Sequence, residues 1–548
     1  MTGNEEEDGW PWLGRHEPHP QLAAARPVLA GNGMIATPHH HASRIGLDVL
    51  RSGGNAVDAA VAASAALMVA VPMQCSPGGD AIWLIRTPQG EVTSLDASGR
   101  SAEGADAAAL RQKGILSIQP RSAMAVTVPG VVAGWVEALS RYGSRPLAGL
   151  LEPAAAIAEE GIFVSRHLAA SFLVALPTLQ RWGALSLWSS DGRPPALYQR
   201  LHQPKLAAAL RAIGATGGDI VYQGELGRAI VTAVQSRGGW LTTRDLQHYR
   251  AEWAAPLKAR LRGLDLWTSP PATQGVALAV ACELVEALAP ADFNPDDASG
   301  AHLMIEAASV ALAERDRVLA DPQHMVESAA DLLAADHIHM LAARIDTARA
   351  NVPQMCSTSV ITRGDTAHIA VVDAERRAVS LIQSLFLDFG SGIPVEEWGF
   401  TLQNRGAAFS LDAAAPNRLM PGVHPPHTLA PSLAVEGERL AAVLGCMGGD
   451  GQIQTQLQLL ASLQANGLDA QQAVSKPRWY VDRRNSRVLV EAGFSAEFVE
   501  SLTRRGHAVQ VLGVSEEIMG HAELITLHPG AAMAGAADPR SDGQAAGW

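Results

Sequence analysis

The stretch that decides the fold is Gly364-Asp365-Thr366-Ala367-His368-Ile369-Ala370-Val371-Val372-Asp373. A Gly-Asp corner leads into Thr366 and then into an apolar run with almost no charge, the pattern of a loop feeding a buried strand. A hydroxyl therefore sits on the strand's first residue. Cutting the peptide bond before Thr366 would give the same residue a free α-amine. Such an amine titrates at about 7.7 to 8.0, so at neutral pH a usable fraction takes the hydroxyl proton without a His or Asp partner. The chain can make the cut itself: the Thr366 hydroxyl attacks the Asp365 carbonyl in an N-to-O acyl shift, and water releases the ester. Asp365 and Thr366 form the expected cleavage site. Thr is also an ordinary β residue, so the reading rests on the sequence around it.

Working outward, Ala378 to Ile382 reads as the strand beside Ile369 to Val372, with residues 373–377 as the turn. Leu429 to Val435 and Leu440 to Leu444 read as a second hairpin, which runs into Gly445-Cys446-Met447-Gly448-Gly449-Asp450-Gly451. Upstream, residues 140–350 are mostly helical by periodicity. Gly53-Gly54-Asn55-Ala56-Val57-Asp58 is a glycine turn with Asn55 as N-cap and Asp58 three residues on, where a capping-box acid belongs. The apolar run Ala59 to Met73 is too short and interrupted for a bilayer and reads as a buried helix. Residues 1–28 are polar and Pro-punctuated, a flexible arm, with regular structure beginning near Met34.

The whole chain narrows the class. Its net charge is -13 at pH 7 over 548 residues, with no Lys/Arg-rich run, which argues against nucleic acid or an anionic membrane as partner. Cys75, Cys282, Cys356 and Cys446 lack metal-ligand or CxxC spacing and read as reduced core residues. The acidic N-terminus is followed by no apolar signal segment, so a cytoplasmic location is expected, or a periplasmic one if a leader was removed. Adjacent histidines cannot all face one metal, so His39-His40-His41 reads as surface or loop residues, and no metal or other cofactor is expected. The glycine turns lack the lysine of a phosphate loop.

Thr366 to Asp373 with Ala378-Val-Ser-Leu-Ile-Gln-Ser384, Gly53 to Ala60, Val128-Pro129-Gly130, Gly238 to Leu246 and Gly448-Gly449 together resemble the γ-glutamyltransferase family of N-terminal-nucleophile hydrolases, from about residue 30 to 535. The resemblance implies an α+β fold, a four-layer α/β/β/α sandwich. It implies a large subunit, residues 29–365, and a small one, residues 366–548, associated as a heterodimer in one folded unit. Thr366 would be the nucleophile. Ser384 stands where the family has a Thr hydroxyl that bonds the nucleophile's amine. Gly448 and Gly449 match the oxyanion-hole glycines, a role their bare backbone suits. Arg100 matches the donor-binding arginine, whose planar fork suits a carboxylate.

The sequence departs from that family at the donor pocket. Positions that should hold an α-ammonium are Phe386, Arg405 and Ala408, which cannot solvate a cation. Arg100, Arg405 with its neighbour Asn404, and His427 and Thr428, which stand where the family has two Ser hydroxyls, could instead bind an anionic acyl end. This suits a glutaryl-type amide and the cephalosporin acylase branch, which cleaves glutaryl-7-aminocephalosporanic acid; an oxamate-type amidohydrolase is the related possibility. A γ-glutamyltransferase or glutathione hydrolase is the alternative, and a non-catalytic binding relative the third. The expected partner is a small anionic amide.

Overall fold

The computed structural model describes residues 26–351, 365–465 and 468–548. Most of the N-terminal arm, the segment before Asp365 and Cys356 lie outside the described residues.

Two seven-stranded antiparallel sheets form the centre. Their strands in chain order are β1 (Val28–Ala30), β2 (Met34–Thr37), β3 (Asp80–Arg86), β4 (Val92–Ala97), β5 (Glu252–Ala254), β6 (Leu257–Leu261), β7 (Leu264–Thr268), β8 (Asp365–Val372), β9 (Ala378–Phe386), β10 (Ser432–Glu436), β11 (Arg439–Cys446), β12 (Ala522–Leu527), β13 (Met533–Ala537) and β14 (Gln544–Gly547). One sheet runs β14-β2-β8-β9-β3-β4-β5 and the other β1-β13-β12-β11-β10-β7-β6.

Side chains alternate across each strand, and this alternation sorts the layers. On β8, Ala370 and Val372 pack with Leu433, Val443 and Ile525 of the other sheet. The intervening Ala367, Ile369 and Val371 face a separate apolar layer containing the helix α1 (Ala56–Ala70). All of α1 is buried, and its Asn55/Asp58 capping box is formed as expected. On the far side, α2 (Gly275–Leu288), α3 (Ala298–Val318) and α4 (Gly451–Ala465) cover the second sheet. The result is helix, sheet, sheet, helix, the expected α+β sandwich, with β8 central in the first sheet.

Two expectations are corrected. Among the described residues regular structure begins at Val28, because β1 pairs with β13. The region 140–350 is mostly helical as expected, and β6 and β7 form a hairpin inside it that extends the second sheet. His39 is not a surface residue, since it is 3% exposed and its Nδ1 accepts from the His41 amide to cap the helix His40–Arg51. The expected hairpin β8/β9 forms in register, with Thr366 opposite Ser384.

Candidate active site

Thr366, His368, Ala370 and Val372 share the face that looks between the sheets, because strand periodicity is two. Ser384 on β9 and Asp80 on β3 occupy the same row: Thr366 pairs with Ser384, and Ser384 pairs with Asp80. Three polar side chains on adjacent strands therefore line the end of the layer between the sheets. The Thr366 hydroxyl donates to Ser384 Oγ at 3.3 Å, and the Phe386 amide donates to the same oxygen at 2.7 Å. A bulge between Asp365 and Thr366 ends the regular ladder at the bond expected to be cut. Thr366 is only 1% exposed in the continuous chain.

The opposite wall comes from the second sheet. Gly445 on β11 lies against His368, so closely that a Cβ would stand 2.4 Å from its ring. The strand runs from Val443, packed with Ala370, past His368 in the direction of Thr366. The chain then turns through Gly448 and Gly449, both left-handed at φ 128° and 57°. Among the described residues neither glycine amide has an acceptor. Gln274 fixes the turn by donating to the carbonyls of Thr428 (2.5 Å) and Gly449 (2.8 Å). Arg315 donates to Gln274 Oε1 and bridges to Asp450.

Beside Ser384, Asp80 is wholly buried and paired. Arg405 donates to it through Nε (3.0 Å) and Nη2 (3.3 Å), and His427 Nε2 lies 3.0 Å from the same carboxylate. Burial pushes the Asp80 carboxyl up, but the Arg405 charge and then His427 outweigh it and hold it at about 2. Burial, then the Arg405 charge, lower the His427 imidazole. Arg405 also donates to Thr428 Oγ1 at 3.2 Å and lies 4.4 Å over the Phe386 ring.

These contacts revise the expected donor pocket. Arg405, His427 and Thr428 do converge beside Ser384, but the carboxylate that engages Arg405 is the protein's own Asp80. Arg100 is displaced from the row. It follows the end of β4, beyond β3, and donates to Glu252 (2.7 Å) and Asp321 (3.2 Å) in a separate cavity with Ser269, Thr273 and His424. Two carboxylates thus already engage its guanidinium. Asn404 is a structural pin, its amide accepting from the Leu387 amide and donating to the Pro120 carbonyl. Asp80, Gln274, Arg315 and Asp450 were missed in the sequence. Of these only Asp80, buried at a strand's first residue after a glycine pair, carried a local signal.

A family model described as Gamma-glutamyltranspeptidase matches residues 42–548. The chain belongs to the γ-glutamyltranspeptidase family. Within that family it is 38% identical to the oxamate amidohydrolase proenzyme of Klebsiella pneumoniae, over 95% of this chain and 99% of the relative. It is 33% identical to the glutathione hydrolase-like YwrD proenzyme of Bacillus subtilis, over 95% and 99%. The crystal structure of cephalosporin acylase from Bacillus halodurans superposes with a TM-score of 0.89 at 32% identity, covering 100% of this chain and 99% of that one. Family members thus include hydrolases of amide bonds and proenzymes, on the same α+β sandwich. Among the described residues no helix is long and apolar enough to cross a membrane.

Proposed function

We propose that the chain is an autoprocessed amidohydrolase whose nucleophile is Thr366 and whose acyl donor is anionic and lacks an α-ammonium. The observation that carries the reading is the Asp80–Arg405 pair beside Ser384. The carboxylate nearest the nucleophile's row is already neutralised, so it offers no countercharge to an ammonium. The edge formed by Arg405 Nη1 and the Thr428 hydroxyl suits a small acyl carboxylate instead. Oxamate is the first substrate on this reading, supported by the relative of that name; a glutaryl amide is the second, supported by the likeness to cephalosporin acylase.

In this mechanism the 365–366 bond breaks by acyl shift and hydrolysis, dividing residues 1–365 from 366–548. The Thr366 oxygen then attacks the substrate carbonyl while its new α-amine takes the hydroxyl proton. The Gly448 and Gly449 amides hold the oxyanion, and the proton passes to the departing amine. Water, deprotonated by the same α-amine, hydrolyses the ester and frees Thr366.

Paired assays test this. Oxamate, a glutaryl anilide and a γ-glutamyl anilide are offered to the processed protein, whose N-terminal sequences are read beforehand. Two fragments, one beginning at Thr366, are expected, with kcat/KM for the γ-glutamyl donor about 100-fold or more below the better amine-free donor, the cost of an uncompensated ammonium. A γ-glutamyl preference would overturn the substrate reading, and an uncut active chain would overturn the nucleophile.

A further inference from the structure

Away from the catalytic row, three buried side chains from distant parts of the chain point at one spot. His302 and Glu306 stand four residues apart on α3 and so share a face. His507 lies in the loop between the helix Ala496–Arg504 and the strand Val509–Val511. His302 Nδ1 and His507 Nε2 are 2.8 Å apart, and the ligand atoms of all three residues lie within 4.8 Å of one another.

The surroundings favour a cation. Glu306 is 2% exposed, and among the described residues no Lys or Arg pairs with it; its hydrogen bonds come from Asn351, whose backbone amide donates at 3.2 Å. A buried carboxylate with no countercharge is costly. His302 Nε2 faces the Asp346 carbonyl at 3.0 Å, which holds the proton on that nitrogen and turns the Nδ1 lone pair to the cluster. A backbone carbonyl behind a ligating imidazole is a common support at metal sites. A comparable group, Glu314, Glu327 and His337, differs because Arg317 already sits between its two carboxylates.

We propose that His302, Glu306 and His507 form a structural Zn²⁺ site. Two imidazole nitrogens and one carboxylate oxygen suit this ion, whereas Ca²⁺ and Mg²⁺ prefer oxygen throughout. Bonds of about 2.1 Å put tetrahedral ligand atoms about 3.4 Å apart, so the Glu306 carboxylate closes in while the two imidazoles spread. The proton between the imidazoles moves to His507 Nδ1, and water fills the fourth position. The site joins α3, before the Thr366 junction, to a loop after it. It also secures the stretch 346–351, which the Ala350–Arg505 and Arg505–Thr347 hydrogen bonds already tie to that loop.

The purified full chain is stripped with EDTA, re-dialysed against Zn²⁺, and its bound metal counted by mass spectrometry. About one equivalent is expected in the wild type, falling at least tenfold in folded His507→Gln and Glu306→Gln proteins. An anomalous difference map at the zinc edge, taken from wild-type crystals soaked in Zn²⁺, places the ion independently of any variant. A peak between the three side chains supports the site. No retained equivalent, a peak elsewhere, or full retention in both folded variants overturns it.

Discussion

Thr366 and Ser384 stand directly opposite in the β8/β9 ladder, hydroxyl to hydroxyl at 3.3 Å. The Ser384 oxygen also accepts from the Phe386 amide, so one atom holds the hydroxyl of the proposed nucleophile and pins the strand end. Ser384→Ala removes both contacts. Expected are a 10- to 100-fold slower appearance of the Thr366 fragment and a comparable loss in kcat, roughly 1–3 kcal/mol for the orphaned groups. Ser384→Thr, which keeps the hydroxyl, should recover most of both. Time-resolved gels and initial rates read the two effects, and an Ala variant that cuts and turns over normally would exclude Ser384 from the site.

Asp80 and Arg405 test a buried pair across 325 residues of sequence. Asp80→Asn leaves the Arg405 charge in an apolar layer and should cost about 3–5 kcal/mol. The double variant Asp80→Asn/Arg405→Met removes both charges and should be more stable than the single one. Urea midpoints of the four proteins close the cycle. Additive effects would mean that the two groups do not depend on each other.

Gly448 is held at φ 128°, and an added Cβ would meet the Gly520 Cα at 3.3 Å. Gly448→Ala should therefore move the turn and misdirect the amides proposed to hold the oxyanion. A drop in kcat of about 100-fold, the size of one lost oxyanion donor, is expected with a smaller change in KM. A raised KM with kcat unchanged would place the effect in binding.

Acid sensitivity should begin above the carboxylate range. Burial first and foremost lowers His368 and His521 to about 3, against 6.5 in an unfolded chain. Among the described residues neither His521 ring nitrogen has a hydrogen-bond partner. Between these values the unfolded chain binds the protons and the folded chain does not, so stability is full above about pH 6.5 and falls as pH drops toward 3. His521 contributes a slope of about 1.4 kcal/mol per pH unit, whereas the buried Glu523 carboxyl beside His368, raised well above its usual range, offsets that histidine's share above about pH 4.5. Asp80, also depressed, adds its loss only below about 3.8. Urea midpoints at pH 7.5, 6.0 and 5.0 should decline steadily, and His521→Gln should flatten the decline. A flat wild-type profile over this range would remove the histidines from the account.

Legibility followed locality. Thr366, Ser384 and the Gly448-Gly449 turn could be read because each carries its chemistry in a short run of sequence, and the alternation along β8 and β9 fixed which residues face together. Asp80 showed locally only its place after the Gly78-Gly79 pair, since its meaning depends on strand register with Ser384 and on a guanidinium far along the chain. The same blindness made the whole Arg405 fork look available to substrate, although Asp80 already holds its Nε and Nη2: a sequence lists charges without their internal partners. The β6/β7 hairpin was readable but overlooked. Leu257 to Leu261 and Leu264 to Thr268 alternate, and Arg262-Gly263 between them is a two-residue turn with φ of 51° and 90°.

The first sheet threads β2 and β3, which precede the Thr366 junction, among β14, β8 and β9, which follow it. Once the junction is cut, neither product owns a complete sheet, and each supplies the missing neighbours of the other. The two pieces are then like interlaced fingers: dilution cannot part them unless ladder bonds throughout the sheet are given up together. Maturation by one broken bond would yield an enzyme of two chains that still unfolds as one body, and a gene for either piece alone would encode only part of each sheet.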